Sequence, residues 1–144
     1  MVVTQDGNVL LHKGANSQTS VFISPDGNLG IGKSNPQEKL EVNGLIHAKA
    51  VEVDLDNWPD YVFDKAYNLV RLREIASYVN KHGHLPEIPS AREIEAEGLN
   101  LGEMDKLLLK KIEELTLHLI EKDEQISVLT ERLDALEARQ KTKN

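Results

Sequence analysis

The chain has 144 residues, a formal net charge of −7 and no cysteine. Its length suits one ordinary domain, and its acidic balance argues against a nucleic-acid groove or an anionic membrane surface as partner. Without cysteine there is no disulfide framework, thiolate metal site or thiol nucleophile, and no apolar run approaches the roughly 18 residues of a membrane-spanning helix. The opening MVVTQDGNVL lacks a basic region followed by an apolar run, so it is not read as a signal peptide. Phe22 stands apart, whereas Trp58, Tyr61, Phe63, Tyr67 and Tyr78 crowd the middle of the chain. Both ends are therefore short of bulky core material, and a core completed by copies of the same chain is expected.

Residues 1–46 read as short strands and tight turns with an internal repeat. QDGNVLLHK at 5–13 aligns with PDGNLGIGK at 25–33, and each copy follows a β-prone run, Val2-Val3-Thr4 or Val21-Phe22-Ile23. Asp-Gly-Asn between such runs is hairpin-turn chemistry, because Gly tolerates positive φ and Asp or Asn bonds its own backbone. Next, Asn35-Pro36 leads into Lys39-Leu40-Glu41-Val42, which alternates with period two before Asn43-Gly44 turns the chain. Within this region GNLGIGKS at 27–34 matches the phosphate-binding pattern G-x-x-x-x-G-K-[ST]. Such a loop must leave a strand and open a helix whose N-terminal amides hold the phosphates. Here Ser34 is followed by Asn35-Pro36 and a β-like run, and the equivalent GNVLLHKG lacks the second glycine. The stretch is read as a turn and strand, with Lys33 facing water and no nucleotide or other cofactor bound.

Residues 47–100 are expected to form a small α/β knob. LIHAKAVEVDLD at 45–56 looks extended, with one slip in its alternation. Leu69, Leu72, Ile75, Ala76 and Val79 share a helical face that Gly83 should end. HLPEIP at 84–89 is not regular helix. Ser90 and Glu93 form a capping box for a second short helix ending at Gly98. His82 and His84 lack a third metal ligand, and Trp58-Pro59 interrupts the loose calcium-loop pattern of Asp54, Asp56, Asn57 and Asp60. No nucleophile elbow or acid–base carboxylate pair is present, so the chain is read as neither metalloprotein nor enzyme.

Residues 101–144 are expected to be a coiled-coil helix with a frayed tail. Ile112, Leu119, Ile126 and Leu133 occupy one heptad position, and Leu108, Leu115, Leu129 and Leu136 the other, broken by Lys122. Off the seam, Leu109, Leu117 and Ile120 mark a second apolar face that region 58–100 should cover. Arg132-Leu133-Asp134-Ala135-Leu136-Glu137 matches the R-h-x-x-h-E pattern of short trimeric coils. There the Arg stem covers core leucines while its guanidinium pairs with a neighbour's Glu.

GNLGIGKSNPQEKLEVNG at 27–44 resembles repeats in the stalks of phage tail fibres and bacterial fibre-like surface proteins. WPDYVF at 58–63, HLPEIPSAREIEAEGLNLGEM at 84–104 and KKIEELTLHLIE at 110–121 are similar to the C-terminal ends of tail fiber domain proteins common in Bacteroidetes. The resemblance implies an α+β, elongated homotrimer: a β-rich stalk piece, a small knob and a terminal parallel coiled coil. It implies an assembly module that registers an extracellular fibre, on a virion or a bacterial surface, whose partners are itself and an upstream stalk of the same protein. A receptor- or glycan-binding tip using Trp58, Tyr61 and Tyr67 is the alternative. Related fibres end in chaperone domains that cut themselves off at a Ser-Asp motif; this sequence contains no Ser-Asp, so no self-cleavage is expected. Met1 directly before a mid-stalk repeat points to a piece of a longer protein.

Overall fold

The computed structural model describes residues 2–12 and 19–141. The chain divides into two compact units, Met1–Val51 and Glu52–Asn144. The first is a five-stranded sheet whose spatial order follows the chain: β1 (Val2–Val3), β2 (Val9–His12), β3 (Thr19–Ile23), β4 (Leu29–Ile31) and β5 (Leu40–Val42). Neighbours from β1 to β4 are antiparallel, and β5 runs parallel to β4.

The repeat is a structural repeat down to its hydrogen bonds. In the first turn the Asn8 N–H donates to the Thr4 hydroxyl at 3.1 Å and the Gly7 N–H to the Thr4 carbonyl at 3.0 Å. In the second, the Asn28 N–H donates to the Ser24 hydroxyl at 3.0 Å and the Gly27 N–H to the Ser24 carbonyl at 3.0 Å. Gly7 and Gly27 hold φ of 80° and 76°, the left-handed region that glycine enters without a Cβ penalty. A hydroxyl one residue before the aligned stretch thus clamps both turns.

The two copies part where GNLGIGKS acquires its second and third glycines. After β4 the chain turns at Gly32 (φ 67°) and residues 32–39 double back to lay β5 beside β4. Parallel neighbours usually need a longer crossover. Gly30 permits this short one: a Cβ there would sit 2.1 Å from the Lys33 carbonyl oxygen, and buried Pro36 packs against the same point. Asn28 fastens the loop, donating from Nδ2 to the carbonyls of Pro36 and Gln37, each at 3.3 Å. Loop and strand, not a helix, therefore follow Lys33-Ser34. The lysine, expected to face water, is exposed and also pairs with Glu41. That bond and the Glu38 and Gln37 amides hold the Glu41 carboxyl down at about 2.

The register gives the sheet two unlike faces. Val3, Val9, Ile23, Leu29 and Leu40 line up in one row across the strands, and Leu11, Val21, Ile31 and Val42 in the next row of the same face. The opposite face carries Leu10, Phe22, Gly30 and Glu41, with the crossover packed at Gly30. Among the described residues no layer covers the all-aliphatic face; Val3, Leu11, Ile23, Ile31 and Leu40 stay exposed, and Val9, Val21, Leu29 and Val42 are half-buried.

The second unit contains a 3-10 helix (Pro59–Phe63), α1 (Leu72–His82), α2 (Ala91–Glu97) and α3 (Leu101–Lys141). Gly83 caps α1 in the left-handed conformation, its N–H donating to the Val79 carbonyl at 2.8 Å. Both halves of the Ser90–Glu93 capping box are made at α2. Asn100 opens α3 by accepting the Glu103 N–H at 3.2 Å.

The extended stretch 45–56 joins no strand, so the knob expected to be α/β is helical among its described residues. Two of its carbonyls are taken by side chains instead. Trp58 Nε1 donates to the Leu55 carbonyl at 3.0 Å and Lys106 Nζ to the Asp56 carbonyl at 2.8 Å. Val53 and Leu55 lie so close to α3 that a Cβ on Gly102 would come within 2.8 Å of both. Pro59 and Val62 of the 3-10 helix are the most deeply buried side chains. No helix among the described residues is long and apolar enough to cross a membrane.

Candidate functional site: the two surfaces of the long helix

The heptad stripe of α3 runs down one surface. Leu108, Ile112, Leu115, Leu119, Ile126, Leu129, Leu133 and Leu136 are each 47–62% exposed in the single chain. Lys122 interrupts the stripe and donates from Nζ to Gln125 Oε1 at 2.9 Å. Arg132 and Glu137 lie exposed at its far end. Residues 122–141 have no buried member, so nothing among the described residues covers this half of α3.

The other surface meets the knob. Leu109 and Leu117 are half-buried there as expected, whereas Ile120 stays exposed. Buried positions on this surface are polar: Glu113, Glu114 and His118. The Tyr67 hydroxyl donates to Glu114 Oε1 at 2.5 Å, and burial followed by that bond pushes the phenol above its usual range. Lys111 Nζ bridges Glu114 Oε2 at 2.8 Å and Glu87 Oε2 at 2.5 Å, while Lys110 takes Glu87 Oε1 at 2.5 Å. Burial works against the charges of both Glu87 and Lys111. Their hydrogen bonds outweigh it, holding Glu87 below and Lys111 above the ordinary value. Glu87 has φ of 68°, a strained setting for a non-glycine residue, in the loop that carries its carboxylate to the two lysines.

Glu113 and His118 are less well served. Glu113 Oε2 and both ring nitrogens of His118 are buried without a hydrogen-bond partner. Burial, then the charge of Asp60, raises the Glu113 carboxyl above the usual carboxylate range. The sequence reading gave these residues no role, although the face marked by Leu109 and Leu117 passes through Glu113 at i+4 spacing.

The remaining candidates separate. Trp58 and Tyr61 are 44% and 47% exposed, while the Tyr67 hydroxyl is committed to Glu114; the Tyr61 and Tyr67 rings stand 6.0 Å apart. Tyr78 stacks on His82 at 4.3 Å and meets His84 edge-on at 5.6 Å, so both imidazoles belong to one ring cluster. Among the described residues no group of three or more His, Asp or Glu is placed to hold a metal. Compared with family models, curated proteins and solved structures, the chain finds no match.

Proposed function

We propose that the chain is a homotrimeric fibre end, an assembly module that joins and registers three copies of an extracellular fibre on a virion or bacterial surface. The observation that carries this reading is the open heptad stripe. Eight aliphatic residues at 3–4 spacing lie bare along α3, while the side chains the helix fully buries on its opposite surface are Glu113, Glu114 and His118. Each stripe side chain stabilises by about 1.5–3 kcal/mol when fully removed from water, so a lone helix of this kind associates with others. The R-h-x-x-h-E segment favours three chains over two. The aliphatic sheet face supports the same reading, since one sheet layer needs a partner to bury such a face.

The mechanism follows from kinetics. Pairing or packing strands between separate chains is slow and open to register slips. A coiled coil converts it into an event at an effective concentration on the order of millimolar. Ile112, Leu115, Leu119, Ile126, Leu129, Leu133 and Leu136 join the chains, and Arg132 with Glu137 sets their number. Assembly needs no catalytic residue or cofactor. Truncation after Glu121 tests this, because it removes half the seam yet keeps the knob contacts at residues 102–114. The truncated chain should lose stable association; a soluble, ordered trimer would refute the assignment.

A second reading, compatible with the first, places a glycan or protein receptor at Trp58 and Tyr61, whose half-exposed rings offer a stacking surface. Glycan-array binding by the assembled protein that Trp58→Ala abolishes would support it. Unchanged binding, or none by either protein, would end it.

A further inference from the structure

A cavity of about 450 Å³ lies between residues 69–73 and α3, bordered by Arg71, Arg73, His118, Glu121 and Lys122. Its charges do not balance. The buried His118 ring has no hydrogen-bond partner at either nitrogen, and the nearest carboxylate oxygen, Glu121 Oε2, stops 3.9 Å from Nδ1. The other oxygen of Glu121 accepts from Gln125 Nε2 at 2.9 Å. Lys122 donates to the Gln125 amide oxygen, and among the described residues neither Arg71 nor Arg73 is in an ion pair. Three cations and a buried imidazole thus surround the site with one carboxylate between them. A second carboxylate is what this chemistry calls for.

The heptad frame supplies one. With Ile112, Leu119, Ile126 and Leu133 at position a, each g residue of a parallel coil lies beside the e residue five positions further along the neighbouring chain. Four such pairs arise along the seam: Lys111 with Thr116, His118 with Asp123, Gln125 with Thr130, and Arg132 with Glu137. Two of them set a nitrogen donor against an acid, and these two stand two heptads apart in the same sense. His118 at position g is also the residue whose ring nitrogens are orphaned.

Resting on the parallel three-chain reading above, we infer that Asp123 of a neighbouring copy enters this cavity. There it faces Arg71, Arg73 and Lys122, and it accepts the N–H of His118 once that ring, closed off in the single chain, turns toward the cavity. Each cavity is then completed by a second copy of the chain, and the knob as well as the coil takes part in the interface. Antiparallel helices would instead bring g beside g and e beside e, leaving the cavity without an acid.

The absence of cysteine makes the geometry directly testable. In the full chain, His118→Cys and Asp123→Cys are introduced together, with Gln125→Cys and Thr130→Cys, a g/e pair that leaves Arg132 and Glu137 in place, as a reference pair. Five residues apart on one helix puts the two Cα atoms about 8–9 Å apart, beyond the roughly 7 Å limit of a disulfide, so any bond formed joins different chains. Mild oxidation should give a covalent species of three 16.1 kDa chains for both pairs. A particle of three chains that cross-links at 125/130 but not at 118/123 overturns this inference and leaves the assembly reading standing. A single-chain mass with neither cross-link overturns both.

A second measurement keeps His118 in place. Asp123→Asn should lower the melting temperature of the assembled protein by about 3 °C or more, and the same change in an Arg71→Ala, Arg73→Ala background should do markedly less. Glu124→Gln, at the outer f position, should leave it unmoved. Equal effects of the Asp123 and Glu124 changes would overturn the inference.

Discussion

In the sheet of residues 2–42 the chain covers one face with its own backbone, folding residues 32–39 against Gly30 where a side chain would collide. In the helical unit it covers one surface of α3 with polar side chains, Glu113, Glu114 and His118, and with the ion pairs of Glu87, Lys110 and Lys111. The materials differ, yet in each unit the fully buried positions lie on the less apolar surface, at Gly30 in the sheet and at Glu113, Glu114 and His118 on α3, while exposed aliphatic side chains line the other. Water alone would favour the reverse arrangement in both. The pattern makes sense when the aliphatic surfaces are reserved for other copies. The internal contacts then serve to hold loop and knob clear of those surfaces.

That contrast can be broken most severely at the seam. Leu129→Asp would place a charge from every copy in one apolar layer, at a cost of several kcal/mol for each unpaired charge. The mass in solution should fall from three chains to one while the knob stays folded by circular dichroism. Next in size is Gly30→Ala, whose Cβ would require the crossover to move away from a backbone oxygen 2.1 Å distant. It should destabilise the sheet by about 1–3 kcal/mol in urea unfolding, whereas Gly27→Ala meets no such contact and is strained only through its left-handed φ of 76°.

The polar surface of α3 can be relieved rather than broken. The raised carboxyl of Glu113 binds its proton more tightly in the folded chain than in the unfolded one. Its contribution is therefore complete below the ordinary carboxylate range and is lost as the pH rises through the raised folded value. Glu113→Gln should raise the melting temperature by about 3 °C at pH 7 and leave it unchanged near pH 4. The smallest effect belongs to Lys33→Met, which should bring the Glu41 carboxyl up from about 2 toward 4.5 in an NMR titration. Any stability from the wild-type pair is present above 4.5 and fades as the pH falls toward about 2. Because Lys33 is exposed, that contribution is small and screened by salt.

The helices are legible in the sequence because their ends are written in local chemistry: Ser90 with Glu93, Gly83, Gly98 and a heptad stripe uninterrupted by proline. The turns of the repeat are legible for the same reason. The crossover is not, because the role of Gly30 depends on where the Lys33 carbonyl arrives three residues later. Residues 45–56 mislead for a related reason. Alternation promises a strand, but Lys106 and Trp58 satisfy backbone carbonyls that a neighbouring strand would have taken. Glu113 and His118 escape a sequence reading because charged and imidazole side chains on a helix are ordinarily solvated, and only the fold sets the knob against them.

The mass of the intact chain in solution, measured by light scattering across a dilution series, tests self-association most directly. The account predicts three times the 16.1 kDa chain, about 48 kDa, holding steady as the protein is diluted. A mass of one chain throughout the series would contradict it.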